Sequence, residues 1–156
     1  MRLQYAFLVL FVSILSSCSK DTLDNTEITE AKNDIEVENE LLNVVNDYRV
    51  SLGYTSLQFS PVAYEYANDH NDYMISKGSI SHDNFSSRAS NIASAVEAEH
   101  VAENVAKDYA NATEAFNGWF NSSNHKKTME GDFTHTAVSV KKNASGAYYF
   151  TQLFFK

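Results

Sequence analysis

The chain has 156 residues, and its 20 acidic and 12 basic side chains give a net charge of −8 at neutral pH. That length suffices for one domain with a substantial hydrophobic core, but not for two. No run of Lys or Arg is longer than the pairs Lys126-Lys127 and Lys141-Lys142. A phosphate backbone would therefore be repelled, and we expect no nucleic acid partner.

Residues 1–17 are typical of an export signal. Arg2 precedes an apolar run from Tyr5 to Leu15, which is too short to span a bilayer. Residues 15–18 read Leu-Ser-Ser-Cys and resemble a bacterial lipobox, which implies cleavage before Cys18 and a lipid on its sulfur. The alternative is an ordinary secretory signal beside a chance cysteine. Both interpretations predict an extracytoplasmic protein, and the first adds a lipid anchor that holds it to a membrane.

The segment that follows the signal, residues 18–38, is interpreted as a flexible acidic tether. It is poor in apolar side chains, so it cannot bury enough surface to offset the entropy of ordering. Ser19-Lys20-Asp21 resembles the charged signals of some surface-displayed lipoproteins. We therefore expect the anchor in the outer membrane or at the cell surface, without a choice between the two. Cys18 is the only cysteine, so the rest of the chain has no thiol for disulfides or catalysis.

Two amphipathic helices are predicted next. Apolar residues recur at helical spacing over residues 40–52, and Gly53 follows where a left-handed cap would lie. Ser60 and Pro61 are typical of an N-cap and a first-turn proline, and they precede a second helical pattern over residues 62–77. We expect both helices to bury one face.

The segment after the second helix is predicted to bring a histidine to a cleft. Residues 78–85 contain too many turn formers to continue the helix, so His82 lies on a loop from which its side chain can reach a cleft. His70 falls on the apolar stripe of the second helix, where a hydrogen-bonded structural role is expected. Residues 86–99 are rich in Ala and Ser and are predicted to form one or two short helical turns over the cleft.

Glu103 and a further histidine, His125, complete the candidate site. His100 and Glu103 could pair on a helix, but the valines and alanines around Glu103 favour a strand. Residues 112–122 carry an aromatic stripe at helical spacing and are predicted to form a third main helix. His125 would then lie just past the C-terminus of that helix, where a cationic imidazole is stabilised and its pKa tends upward.

The C-terminal part of the chain predicts a β-hairpin. Residues 133–141 alternate between apolar and polar side chains, and residues 147–155 are apolar on both faces. The connection over residues 142–146 is short and rich in turn formers. Since a strand that is apolar on both faces needs cover on both sides, helices are expected to flank a small antiparallel sheet.

Two imidazoles and one carboxylate can bind a divalent metal or form a proton-relay pair. For His82, Glu103 and His125, the alternative is that Glu103 is an ordinary surface carboxylate and that the histidines are loop residues. A third interpretation gives the three side chains only a structural role in organising the loops. These alternatives remain open from the residues alone.

The ordered motifs resemble one family, the CAP superfamily, also called SCP-like, in its cysteine-poor bacterial branch. The resemblance spans roughly residues 41–155 and implies a domain over residues 39–156 with an α+β fold, an α-β-α sandwich. It also implies that His82 and His125 match two cleft histidines that bind zinc or another divalent cation in some members, and that Glu103 matches the Glu of a Glu-Asn motif. The motifs that carry it are Leu42-Asn43 to Tyr48-Arg49, Ala67-Asn68-Asp69-His70 to Met74, Ser81-His82, Ala102-Glu103-Asn104-Val105-Ala106, Trp119-Phe120-Asn121-Ser122 to His125, and Tyr149 to Phe154.

The chain departs from the family pattern at the candidate site. Ser122 stands where fuller members have a second glutamate, and Lys126-Lys127-Thr128 follows His125 in place of the usual Arg-x-Asn. The departures imply a site of two histidines and one carboxylate rather than four ligands, and a weaker hold on a metal.

Two functions follow from the resemblance. The preferred function is binding of an unidentified ligand, a protein, peptide or lipid, in the His/Glu cleft, because many members of the family have no established catalytic activity and no nucleophile motif is present. The alternative is a peptidase or cell-envelope hydrolase, in which a metal on His82 and His125 activates water and Glu103 is the base. Catalytic zinc usually has three protein ligands, so recruiting Glu103 as a ligand would remove the base.

Overall fold

The computed structural model describes residues 31–156. The predicted export signal, Cys18 and the first part of the predicted tether lie outside these residues. Within the described part, no helix combines the length and the apolar character that crossing a membrane requires. The elements in chain order are α1 (Ile35–Ser51), β1 (Gln58–Phe59), α2 (Pro61–Lys77), α3 (Phe85–Val96), β2 (Val101–Lys107), α4 (Ala112–Phe120), α5 (Ser123–Met129), β3 (His135–Lys142) and β4 (Tyr148–Phe155).

A four-stranded sheet with the order β1-β3-β4-β2 forms the middle layer. β3 and β4 form the predicted antiparallel hairpin, and β2 pairs antiparallel with the other side of β4. The expectation of an antiparallel sheet was wrong in one respect, since β1 runs parallel to β3. β1 has two residues, both exposed, and so short a strand carries no alternation that a sequence pattern could reveal.

Helices cover both faces of the sheet, as the apolar pattern of the last strand predicted. On one face, α1 and α4 pack over a core that includes Trp119 and Phe150. On the other face, α2 and α3 pack over a core that includes Ile92 and Leu153. Successive residues of β4 therefore point into different cores. The layers confirm the predicted α+β fold, an α-β-α sandwich.

The first helix begins earlier than its apolar pattern predicted. α1 begins at Ile35 rather than at residue 40, because the Asp34 side chain accepts a hydrogen bond from the Val37 backbone N–H at the N-cap. Residues 35–38, which we expected in the tether, therefore lie in this helix. Glu38 is buried and accepts hydrogen bonds from the Tyr64 hydroxyl at 2.8 Å and the Val140 backbone N–H at 2.9 Å.

The second helix follows its sequence signals closely, and the third does not. Ser60 caps α2 through the Ala63 backbone N–H, and Gly78 ends it in the left-handed region at φ 73°. α3 is a continuous helix of 12 residues, not the one or two turns expected from residues 86–99. It is longer because Arg88 and Ile92, four residues apart, share a buried face and tertiary packing adds to a weak helical propensity.

Candidate functional site

The edge strand β2 carries the acidic residue of the candidate site. Glu103 lies on this strand, as predicted, and it pairs with Leu153 of β4. Since neighbouring side chains on a strand point to opposite faces, Glu103 faces the α2 and α3 layer while Asn104 faces the α4 and α5 layer. The Trp119 indole donates to the Val105 carbonyl at 3.1 Å, which fixes α4 against the same strand.

The carboxylate of Glu103 is buried, with its side chain 1% exposed. Its Oε1 lies 2.8 Å from Nδ1 of His82. Its Oε2 lies 2.8 Å from Nε of Arg88 and 2.5 Å from another guanidinium nitrogen of the same residue. Both oxygens therefore have protein partners, and the negative charge is matched by a buried arginine.

Arg88 is the functional residue that sequence reasoning missed. It lies on α3, is 8% exposed, and also donates to the Asp83 carbonyl at 3.2 Å. The signal that could have found it is its spacing of four from Ile92, which places both residues on one helix face. A cation on the apolar face of a helix needs a buried anion as its partner, and Glu103 is that partner.

His70 holds the loop that carries His82. Its Nε2 lies 2.7 Å from the Ser81 carbonyl oxygen, so Nε2–H is the donor, and it lies 3.7 Å from Oε1 of Glu103. Burial lowers the pKa of His70, which the neighbouring Glu103 opposes and the Arg88 and His82 charges reinforce. The ring is thus the hydrogen-bonded core histidine that the sequence predicted, and it also contacts the site.

His82 lies on the loop between α2 and α3, as predicted. Its side chain is 53% exposed, so the imidazole bridges the buried carboxylate and the solvent. With Nδ1 committed to Glu103, Nε2 makes no hydrogen bond to another described residue and can accept a ligand.

His125 lies elsewhere than predicted. The polar residues after α4 begin a new short helix, α5, with Ser122 at its N-cap, so His125 is in the first turn of α5 and not past a helix C-terminus. Its Nδ1 lies 2.9 Å from the Ser122 hydroxyl oxygen, and its carbonyl accepts from the Asn104 side chain at 3.0 Å. The expected rise in pKa was also wrong, because burial lowers the pKa of His125 and the His82 charge lowers it further.

The structure brings the three predicted residues to the same edge of the sheet, but only two of them are in contact. His82 and Glu103 are in direct contact. His125 approaches from the opposite layer, close enough to His82 for an electrostatic effect on its pKa, but it is bonded to Ser122 rather than to either of the others.

The donor set can be compared with the needs of a metal. Within residues 31–156, no group of three or more His, Cys, Asp or Glu side chains is arranged to hold an ion. Both oxygens of Glu103 already accept hydrogen bonds from Arg88 and His82, so metal ligation by Glu103 would compete with these contacts. What remains is one Nε2 on each of His82 and His125, each on a ring whose Nδ1 is fixed by an oxygen, which is how metal-binding imidazoles are usually oriented.

Three comparisons place the chain among known proteins. The sequence model of the CAP family, described as the cysteine-rich secretory protein family, matches residues 42–154. The chain is 30% identical over 125 residues to the uncharacterized membrane protein YlbC of Bacillus subtilis, covering 76% of this chain and 34% of that protein. The chain thus spans about a third of the length of that relative.

Solved structures share the fold at low sequence identity. An outer surface protein of Borrelia burgdorferi matches with a TM-score of 0.72 at 19% identity, covering 81% of this chain and 96% of that one. A cysteine-rich secretory protein from Staphylococcus aureus matches with a TM-score of 0.67 at 16% identity, covering 78% of this chain and 38% of that one. An extracellular protein with an SCP domain from Bacillus anthracis matches with a TM-score of 0.67 at 21% identity, covering 78% of this chain and 41% of that one.

Proposed function

Since the chain belongs to the CAP family of cysteine-rich secretory proteins, we propose that it is an extracytoplasmic CAP module that binds a ligand in the cleft between His82 and His125. The ligand is a protein, peptide or lipid partner, and a divalent cation such as Zn²⁺ on the two histidines assists its binding. The location agrees with relatives described as an outer surface protein and an extracellular protein.

The observation that carries the proposal is the occupied carboxylate of Glu103. A general base needs an oxygen that can take a proton from water or substrate. In this site one oxygen accepts from His82 and the other from Arg88, so the carboxylate orients the imidazole of His82. An oriented imidazole with an accessible Nε2 is suited to binding.

The cation would be held by Nε2 of His82 and Nε2 of His125. Glu103 accepts the Nδ1–H of His82, so that ring keeps Nε2 as the lone-pair donor. The Ser122 hydroxyl can accept from Nδ1 of His125 in the same way, and in that tautomer Nε2 of His125 would be the second donor. A bound cation would supply a Lewis-acidic point to which an anionic or carbonyl group of the ligand coordinates.

The alternative function, a metal-assisted hydrolase, has less support from this geometry. It needs Glu103 as a base, and the base would first have to leave Arg88 or His82. Two imidazoles are also fewer than the three protein ligands typical of catalytic zinc. The presence of Ser122 in place of a second carboxylate reduces the donor set further.

The test of the cleft is a calorimetric titration of Zn²⁺ into the purified protein. We expect saturable binding in the micromolar range or tighter, and its loss in the double variant His82→Ala/His125→Ala. The matched control is His135→Ala, because His135 lies on β3, which β4 separates from β2. The control should bind zinc as the unchanged protein does.

Absence of heat with the unchanged protein would refute the metal part of the proposal. Equal binding by the double variant would place the metal elsewhere. Hydrolysis of an envelope substrate that a chelator suppresses and Glu103→Gln abolishes would favour the hydrolase instead.

A further inference from the structure

A pocket lies between α2 and α3, and its lining includes His70 and Arg88, two residues that also contact Glu103. Its volume is about 220 Å³. Each helix contributes residues spaced by three, four and seven positions, so the pocket has two facing walls. Besides His70 and Arg88, the lining residues are Tyr66, Asp69, Tyr73, Asn84, Ser87 and Asn91.

Apart from His70, Arg88 and the Tyr73 hydroxyl, the polar groups of this pocket have no evident structural task. None of the ion pairs among residues 31–156 involves Asp69. Asn84 occupies the N-cap of α3, yet its side chain makes no capping hydrogen bond. The pocket presents carboxylate, amide and hydroxyl groups to solvent at these exposed positions.

One aromatic wall is held in place. The Tyr73 hydroxyl donates to Asp83 at 2.7 Å, and its ring stacks on His70 with 6.0 Å between the ring centroids. Since His70 is itself fixed to the Ser81 carbonyl, the Tyr73 ring is held in position, with the Lys77 ammonium 5.7 Å from its centroid.

The charges and the polar groups of the pocket disfavour two classes of ligand. The Arg88 charge is neutralised by Glu103 at 2.5 Å, so Asp69 is the uncompensated charge and would repel a phosphate or carboxylate. A lipid tail would cover the amide and hydroxyl groups without giving them partners, which is costly. A neutral ligand with many hydroxyl groups meets neither penalty.

We propose that this pocket is a saccharide-binding site, distinct from the histidine cleft. The carboxylate of Asp69 accepts hydrogen bonds from two neighbouring hydroxyls, and the side-chain amide of Asn91 both donates and accepts. The tyrosine rings pack against the C–H face of the sugar. The volume lies below the range of about 300 Å³ and above that holds drug-sized molecules, so the site takes a single ring.

The test is a titration of the full chain with glucose and with N-acetylglucosamine, followed by saturation-transfer NMR. We expect saturable binding of at least one sugar and a loss of about tenfold or more in the double variant Asp69→Ala/Asn91→Ala, because two hydrogen-bonding groups are removed. Both residues are exposed, so the variant should unfold at the temperature of the unchanged protein.

Two further variants serve as controls and distinguish sugar binding from zinc binding in the cleft. The variant Asn43→Ala/Asp47→Ala removes an exposed amide and an exposed carboxylate from α1, and it should bind sugar normally. His82→Ala/His125→Ala should also bind sugar normally. This variant then separates the two sites, because it loses zinc binding and keeps sugar binding. Failure of both sugars to bind, equal binding by Asp69→Ala/Asn91→Ala, or binding of choline in place of sugar would overturn the proposal.

Discussion

At the scale of single residues, the buried arginine on α3 decides what the acidic residue of the site can do. Arg88 and Glu103 form an ion pair with side chains 8% and 1% exposed. A carboxylate in such surroundings is costly to leave without a partner. The pair therefore fixes Glu103, and Glu103 in turn orients His82.

The first prediction is that Arg88→Met destabilises the fold strongly. Removal of one partner from a buried ion pair leaves an uncompensated charge, so we expect a loss of about 3 kcal/mol or more in the free energy of unfolding. Urea denaturation followed by circular dichroism measures it. Lys127→Met removes an exposed cation and should change stability by less than about 0.5 kcal/mol.

A double variant checks that the loss comes from the stranded charge. Arg88→Met/Glu103→Met removes both charges, so its loss should be smaller than the sum of the two single losses. Additive losses would mean that the two side chains contribute separately through packing, and that Arg88 does not position Glu103.

The sequence located some of these side chains and missed others for a physical reason. Glu103 and His82 were placed through family motifs and through the turn formers before His82, and the structure puts them on a strand and a loop as expected. Arg88 was missed because its partner is 15 residues away in the chain. Such a partner leaves no local pattern, and the burial that lowers the pKa of His125 leaves none either.

At the scale of elements, capping residues predicted the ends of a helix well where a distinctive residue type stands at the end. Ser60, Pro61 and Gly78 bound α2 as expected. The start of α1 was missed because residues 36–40 are mostly acidic. An acidic stretch of this kind gives no sign that one of its side chains is buried. Glu38 is buried because β3 supplies a backbone donor from Val140, which only the folded sheet brings near.

The second prediction tests that contact. Glu38→Ala should lower the free energy of unfolding by about 2 kcal/mol, because the buried Val140 N–H loses its acceptor. Thermal unfolding or urea denaturation measures the loss. The matched control is Glu40→Ala, since Glu40 lies on the same helix and is exposed. Equal stability of the two variants would contradict the structural role of Glu38.

The loss caused by Glu38→Ala should also depend on pH, with a defined sign. Burial raises the pKa of Glu38, against the hydrogen bonds that lower it, so the folded protein binds the proton more tightly than the unfolded chain. Stability from this shift is present in full below the unfolded pKa of about 4.3 and is lost as the pH rises through the folded pKa. We expect a larger difference between the two proteins at about pH 4 than at about pH 7. An unchanged difference would mean that the proton affinity of Glu38 is the same in both states.

At the scale of the whole molecule, the strand order explains why one cleft collects residues from distant parts of the chain. β2 lies at an edge of the sheet, so α3 reaches it from one layer and α5 from the other. His82 and His125 can therefore approach the same strand from opposite sides. Apolar periodicity predicted the layers, but no sequence pattern gave the order of the strands, because long-range pairing sets it. Nor did any pattern reveal the two-residue β1.

The last prediction concerns the lipid anchor expected at Cys18. If residues 15–18 are a lipobox, Cys18 carries the lipid, and the folded domain from residue 31 onward contains no other thiol that could take it. Cys18→Ser should then move the protein from the membrane fraction to a soluble fraction. Without the cysteine no lipid is attached, and the membrane affinity supplied by its bilayer-buried acyl chains is lost. Fractionation with an antibody against the domain measures this. Ser17→Ala keeps the cysteine and a small residue before it, so this control should stay in the membrane fraction. If Cys18→Ser also stayed there, the lipid anchor would be refuted, and attachment would have to come from a protein partner or from another segment.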